Sequence, residues 1–392
     1  MDLRRFNKSS PGDLVEIARG EYRGERAFLP HPLPPPDWSA SSNTWRLIAE
    51  AMHELGRLDG ATTSLPDPGI LLRPLENREA LRSSSLEGTY ATPRELLLFE
   101  LPDNAPETAS REHVNAWREV NNYRNALQQS SGDSVIDAPL HLIRQLHQTL
   151  MRDVRGSDRT PGAFRTDQVF IGSEHRFTPP PPEHVMLCLE GLESFIKNPN
   201  PEIHPLVRAF LAHYQFETIH PFGDGNGRVG RLLMTIMIRE LCGHRRPWLY
   251  LSAFFDQFKD EYIDRLFTVS TSNAWDQWVD FCLRATIAQA RDTFDRCTKL
   301  LALREEYRRT VAAKPRLSRI VDMLFENPIM RTTSLATTLK ITYPTAQRDV
   351  EQLVNYEIIR ELGTVYPKTH YAPRIYGITF YEPDQGTPSI DK

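Results

Sequence analysis

Three observations predict a mainly α-helical fold with one short β-hairpin and a small C-terminal domain. Apolar residues recur at helical spacing on both sides of a glycine-rich loop: Val207, Phe210, Leu211 and Tyr214 before it, Val229, Leu232, Leu233 and Ile236 after it. A single long helix is expected from Trp275 to about Thr310. β-type character is confined to short runs such as Gln168–Gly172, bounded by Gly and Pro. The 392 residues suffice for two or three domains, drawn here as 1–110, 111–310 and 311–380 with a disordered tail at 381–392.

A formal net charge of −4 provides no overall field that would draw the chain to nucleic acid or a membrane. Apolar residues at 40% and charged residues at 25% are ordinary for a soluble globular protein. Cys188, Cys242, Cys282 and Cys297 form no CxxC pair and read as reduced packing thiols. The charged N-terminus lacks an apolar stretch, and no apolar run is long enough to cross a bilayer, so the expected compartment is the cytoplasm.

Residues 1–40 are polar, then proline-rich, and are expected to run extended over the surface. A helix is predicted over Thr44–Leu58, with Leu47, Ile48, Met52, Leu55 and Leu58 on its apolar face. After a turn at Pro66, Pro68 and Gly69, a second helix is expected to start at Pro74, which suits a first helical position. Ser83-Ser84-Ser85-Leu86-Glu87-Gly88 then ends a helical segment on a glycine suited to a left-handed cap.

Residues 111–155 carry two core stripes, Trp117, Val120, Tyr123 and Leu127, then Ile143, Leu146 and Leu150. Gln168–Gly172 and Arg176–Thr178 read as a hairpin among helices, an arrangement often used for binding. An amphipathic helix spans Val185–Ile196. The run Arg304–Arg309 reads as a solvated charged face.

In the C-terminal domain, helices are expected at Ile320–Phe325, Thr333–Leu339 and Pro344–Val354, with Ile358–Leu362 pairing Arg374–Ile378. That spacing resembles a winged helix, whose third helix can enter the DNA major groove. Residues 314–377 hold nine Lys/Arg against six Asp/Glu, and Arg348 is offset by Asp349 and Glu351. Without a concentrated basic face, protein interaction or dimerisation is favoured over DNA binding.

The chemistry is concentrated in His220-Pro221-Phe222-Gly223-Asp224-Gly225-Asn226-Gly227-Arg228-Val229-Gly230-Arg231. Alternate glycines let backbone N–H groups approach an anion, and the loop opens a helix whose N-terminus favours negative charge. Arg228 and Arg231, three apart, can fork onto one polyphosphate. Asp224 beside phosphates makes sense as a Mg²⁺ ligand. His220 can take up a proton near neutral pH.

These twelve residues match, at every fixed position, the signature His-Pro-Phe-x-[Asp/Glu]-Gly-Asn-Gly-Arg-x-x-Arg, so the chain resembles the Fic family of protein adenylyltransferases. The resemblance implies a Fic helical core with a flap hairpin, and transfer of AMP from ATP to a Ser, Thr or Tyr hydroxyl of a target protein. His220 would be the general base and Asp224 the Mg²⁺ ligand. Phe222, Gly223, Gly225, Asn226 and Gly227 would line the α- and β-phosphates, with the Asn226 side chain contributing. Arg228 and Arg231 would hold the leaving pyrophosphate. Ser83, Glu87 and Gly88 match the family's inhibitory helix, [Ser/Thr]-x-x-x-Glu-[Gly/Asn], whose glutamate occupies the arginine, here Arg231, that should hold the γ-phosphate. Ile171 and Gly172 would be flap contacts registering the target segment by main-chain pairing. Self-modification and a homodimer are further family expectations, and removal of AMP stays open.

Relatives often carry an Asn by the nucleobase where this chain has Phe258, which leaves a different nucleotide donor as an alternative. A second alternative is a DNA-binding regulator that uses the Fic core as a nucleotide sensor.

Overall fold

The computed structural model describes residues 1–36, 38–63, 69–101, 111–129, 132, 134–154, 160–363 and 367–381. The turn at Pro66 and Pro68 and the tail beyond 381 lie outside the described residues. Two compact units form, 1–56, 82–88 and 122–290 in one, 57–81, 89–121 and the rest from 291 in the other. Among the described residues, no helix is long and apolar enough to cross a membrane.

In the first unit, β1 (Gly12–Glu16) and β2 (Arg26–Pro30) pair antiparallel, Gly12 opposite Pro30 and Glu16 opposite Arg26. The N-terminal segment is therefore a hairpin where only an extended wrap was expected, its strands lying ahead of the proline run. Phe28 on β2 packs with Phe177 and Phe267, and its N–H donates to the Thr178 carbonyl at 2.9 Å. The hairpin thus backs the Ile171–Phe177 segment.

Helix α1 (Ser42–Thr63) precedes α2 (Gly69–Leu86). Pro74 lies inside α2 and does not start it. It forfeits one backbone hydrogen bond near the N-terminus, a local loss that the flanking buried Leu71, Leu72 and Leu75 offset. Gly88 adopts φ +79° just past the helix, as its position suggested.

The core of this unit is a helical hairpin, α7 (Pro205–Ile219) and α8 (Asn226–Leu241), flanked by α5 (Pro139–Leu150) and α6 (Pro182–Lys197). Helix α7 is buried on every side, not along a single stripe, because α6, α8 and β2 all pack on it. Two of its buried polar side chains find partners. Arg208 Nη2 donates to the Phe195 and Ile196 carbonyls at the end of α6, both at 2.6 Å. His213 Nε2 meets the Tyr262 hydroxyl at 2.8 Å. Helices α9 (Ser252–Gln257) and α10 (Lys259–Ser272) follow, then α11 (Trp275–Thr310).

In the second unit, α3 (Pro93–Phe99) opens on a capping box between Thr92 and Glu95, and α4 (Arg111–Gln129) begins. The C-terminal elements run α12 (Pro315–Glu326), β3 (Ile329–Arg331), α13 (Thr332–Leu339), α14 (Tyr343–Asn355), β4 (Arg360–Glu361), β5 (Thr369–Tyr371) and α15 (Pro373–Phe380), with β5 central and antiparallel to both neighbours. The partner of β4 is therefore Thr369–Tyr371. Arg374–Ile378, expected as strand, is helix, started by Pro373 in a first-turn position.

The Arg304–Arg309 run is not merely solvated. Arg304 and Arg308 both bond Asp322, at 2.9 and 2.6 Å, Glu306 pairs with Arg374, and Tyr307 is buried. Asp349 likewise faces inward, 1% exposed and bidentate to Arg316, so it does not offset Arg348 on the outer face of α14.

Candidate active site

The loop between α7 and α8 is folded by its own side chains. Asn226 clamps Phe222: its Oδ1 accepts the Phe222 N–H and its Nδ2 donates to the Phe222 carbonyl, both at 2.9 Å. The Asn226 side chain, expected to touch phosphate, is thus committed to the loop, and the residue faces a ligand only through its N–H at the start of α8. Gly225, the N-cap, sits at φ +76°, where a Cβ would lie 3.1 Å from Met151 Sδ.

Two residues outside the motif brace this loop. His147 on α5 stacks on Phe222 with centroids 3.8 Å apart and planes 2° apart. Its Nδ1 accepts the Gly162 N–H at 2.8 Å, so its Nε2 donates to the Asp224 carbonyl at 3.2 Å. Burial holds this imidazole neutral, down to about 4. Arg165 is buried; its N–H donates to the Pro221 carbonyl and its Nε to the His220 carbonyl, both at 2.8 Å. Arg165 lies in a loop with no periodic signal, and His147 sits among apolar residues on the buried face of α5 where it reads as packing, so sequence reasoning missed both.

His220 ends α7 in the left-handed region at φ 50°. Its Nδ1 donates to the Glu217 carbonyl at 3.2 Å, which leaves the Nε2 lone pair available. Burial is the main cause that lowers its pKa to about 4. A neutral imidazole with this tautomer is a proton acceptor.

His220 opens onto a cleft with about 200 Å³ of free volume that is also lined by Glu87, Ile171, Gly172, Glu217, Gly227 and Arg231, and by Tyr262 and Phe267 of α10. Of the residues singled out in the sequence, His220, Gly227, Arg231, Glu87, Ile171 and Gly172 meet here. Phe222, Gly223, Asp224, Gly225, Asn226, Arg228, Ser83 and Gly88 do not line it: Phe222, Gly225 and Asn226 shape the loop behind, and Asp224 is exposed beside it. Phe258 is outside the lining too, packed on Phe254 at 4.7 Å.

Arg231 is held by the C-terminal end of α2 and the residue that follows it. Its Nη2 donates to Glu87 Oε1 at 2.8 Å and to the Ser83 carbonyl at 2.9 Å, and its Nε donates to Ser83 Oγ at 2.8 Å. Burial works against charge on both partners, yet the pairing keeps Glu87 ionised and Arg231 cationic. Arg82 and Ser85 bond Asp256 of α9 at 3.1 and 3.0 Å, anchoring the same segment. A Cβ on Gly227 would fall 2.0 Å from Glu87 Oε1, so the carboxylate lies directly on the N-terminal turn of α8.

The expected flap hairpin is narrower than its sequence suggested, a single antiparallel bridge between Ile171 and Phe177. Gly172 at φ +78° turns the chain into a 3-10 turn. Arg176 ties it to α10, 2.5 Å from Asp264 and over the Phe267 ring at 4.7 Å.

The N-terminal turn of a helix, a buried guanidinium and a neutral imidazole meet at one cleft on a helical core, an arrangement suited to an anion. Residues 45–131 match the Fic/DOC family N-terminal model and residues 137–238 the Fic/DOC family model, so the chain carries both Fic/DOC family domains. It is 42% identical over 78 residues to protein adenylyltransferase fic-1 of Caenorhabditis elegans, and 36% identical over 104 residues to protein adenylyltransferase Fic of Drosophila melanogaster. These matches span 20% and 26% of this chain but only 15% and 20% of those relatives. In fold, it resembles a Fic family protein from Desulfovibrio desulfuricans G20, with TM-score 0.57 and 20% identity over 86% of this chain and 98% of that one. A fragment of C. elegans Fic-1, residues 134–508, aligns with TM-score 0.51 and 19% identity over 65% of this chain and 74% of that one.

Proposed function

We propose that the protein is an adenylyltransferase that moves AMP from ATP to a hydroxyl of a target protein and is held back by Glu87. The observation that carries this reading is the tautomer of His220, whose Nε2 lone pair is free beside the N-terminus of α8. The target Ser, Thr or Tyr oxygen attacks the α-phosphorus as His220 Nε2 takes its proton. The bond from the α-phosphorus to its bridging oxygen breaks, and pyrophosphate leaves. The N–H groups that open α8 face the phosphate oxygens, and Arg231 is the cation for the terminal phosphate once Glu87 releases it.

The donor set fits Mg²⁺. Asp224 is an exposed carboxylate whose Oδ1 accepts the Gly225 N–H at 2.6 Å. A single carboxylate completed by substrate phosphates and water suits this ion, and among the described residues no group of three or more His, Cys, Asp or Glu is gathered. When bound, Mg²⁺ neutralises charge building on the phosphates.

Glu87 blocks productive binding by occupying Arg231 and lying over Gly227, so ATP cannot align for in-line attack. Its side chain is 35% exposed, which leaves room for it to be drawn off. Ile171 and Gly172 are read as the flap's main-chain contacts to the target, and the C-terminal elements as a winged helix serving protein contact or dimerisation. The domains stay as drawn at 1–110, 111–310 and 311–380.

Intact-mass spectrometry of wild type, Glu87→Gly and Glu87→Gly with His220→Ala, each incubated with ATP and Mg²⁺, tests the reading. One added AMP is expected, most in Glu87→Gly and none without His220. A His220→Ala form that is still modified would overturn the assignment of the base.

A further inference from the structure

Glu217 lines the same cleft and has no part in the reading above. It lies one turn before His220, on the face of α7 that also carries His213. Its Oε1 is buried and has no hydrogen-bond partner. The fold makes room for this carboxyl, because a Cβ on Gly230 would fall 2.2 Å from that oxygen. That oxygen is closed off against Gly230, which favours a neutral carboxyl there, and the other carboxyl oxygen can meet a ligand where Glu217 lines the cleft.

We propose that Glu217 is a nucleotide-binding residue, a carboxylic acid whose O–H donates a hydrogen bond to a phosphate oxygen of the ATP that Arg231 holds. The proposal rests on the nucleotide reading above.

The charged and titratable groups facing Glu217 are Arg231 from α8, Glu87 from the segment after α2 and Tyr262 from α10. Burial is the largest influence and favours the neutral acid, the charge of Glu87 adds to it, and Arg231 opposes it; the group titrates at about 8. At neutral pH it is therefore a donor. Once ionised it would set a negative charge against the polyphosphate.

The test is ATP binding in the presence of Mg²⁺, followed by calorimetry on the full chain with Glu87→Gly to free Arg231 and His220→Ala to prevent turnover, from about pH 7 to about pH 9.5. Affinity is expected to fall about tenfold across that range with Glu217 present. With Glu217→Gln it should match the parent at the lower pH and stay level, because the amide still donates and cannot ionise. With Glu217→Ala it should already be weaker at the lower pH. A Gln variant that keeps the full fall, or an Ala variant that binds as tightly as Gln, overturns the assignment while leaving the nucleotide reading intact. An absence of ATP binding at every pH overturns both.

Discussion

Glu87 Oε1 accepts a 2.8 Å hydrogen bond from Arg231 Nη2 across 144 residues of chain, and the same guanidinium is held twice more by Ser83. Glu87 thus satisfies a buried cation that the proposed substrate would otherwise claim, and Ser83 fixes how that cation points.

Removing the carboxylate frees Arg231 without disturbing Ser83. Glu87→Gly should raise AMP transfer at least several-fold, measured as the rate of self-modification, and an unchanged rate would show that the ion pair is not inhibitory. Gly227→Ala is the informative contrast. Its Cβ also expels the Glu87 carboxylate, but it fills the first turn of α8 where phosphate should lie. That variant should stay inactive although the ion pair is broken.

Ser83→Ala leaves the buried Arg231 Nε without its hydroxyl partner. Chemical denaturation should register a loss of about 1–3 kcal/mol. ATP binding should weaken as well, because the guanidinium is no longer held in one orientation.

The brace behind the loop is testable through His147. His147→Ala strips the partner from the Gly162 N–H and from the Asp224 carbonyl, and removes the ring stacked on Phe222. A stability loss of about 2–4 kcal/mol is expected, with a raised KM for ATP. Normal stability with a normal KM would mean that the loop stands without this support.

Stability against pH follows from groups buried in their neutral forms. His213 is held down to about 3 and His147 and His220 to about 4, each mainly by burial, against an ordinary 6.5. Below 6.5 the unfolded chain takes up protons that the folded one refuses, so stability falls on acidification, by about 1.4 kcal/mol per pH unit for each such group. Glu217 acts in the opposite sense. Its raised value, about 8, means the folded chain keeps a proton that the unfolded chain releases above 4.5, so stability rises as pH drops through 8. The melting temperature should therefore peak near about pH 6.5 to 7. Glu217→Gln should flatten the alkaline side and steepen the acid side between 4.5 and 6.5, where Glu217 partly offsets the histidines.

The catalytic limb follows the same logic. In the Glu87→Gly background, the rate should hold as pH falls below 6.5 and drop only toward about 4, since His220 stays neutral over that range. Removing Glu87 takes away a negative charge that favours the imidazolium, so the limb moves no higher. A midpoint at 6.5 would exclude His220 as the buried base described here.

Much of the fold was legible because helices announce themselves locally. The runs that became α7, α8 and α11 repeat apolar residues at a period that survives any tertiary arrangement. The errors fell where neighbours overrule local preference. Pro74 suits a helix start, yet buried leucines on both sides carried α2 through it. Arg374–Ile378 has strand-like residues, yet Pro373 set it as helix while Thr369–Tyr371 took the central place in the sheet. Asp349 looked like a surface charge until Arg316 drew it inward.

The sequence by itself determined the residues of the loop and its two helices, because those features are written in contiguous residues of fixed spacing, while the pairing of Glu87 with Arg231, 144 residues apart, was expected only from the family resemblance. The tertiary structure alone decided that Arg165 and His147 brace the loop, and that Glu217 lines the cleft with one oxygen unpaired against Gly230. Each of those depends on groups brought together from distant segments, where burial and hydrogen bonding, which have no period along the chain, select the partner.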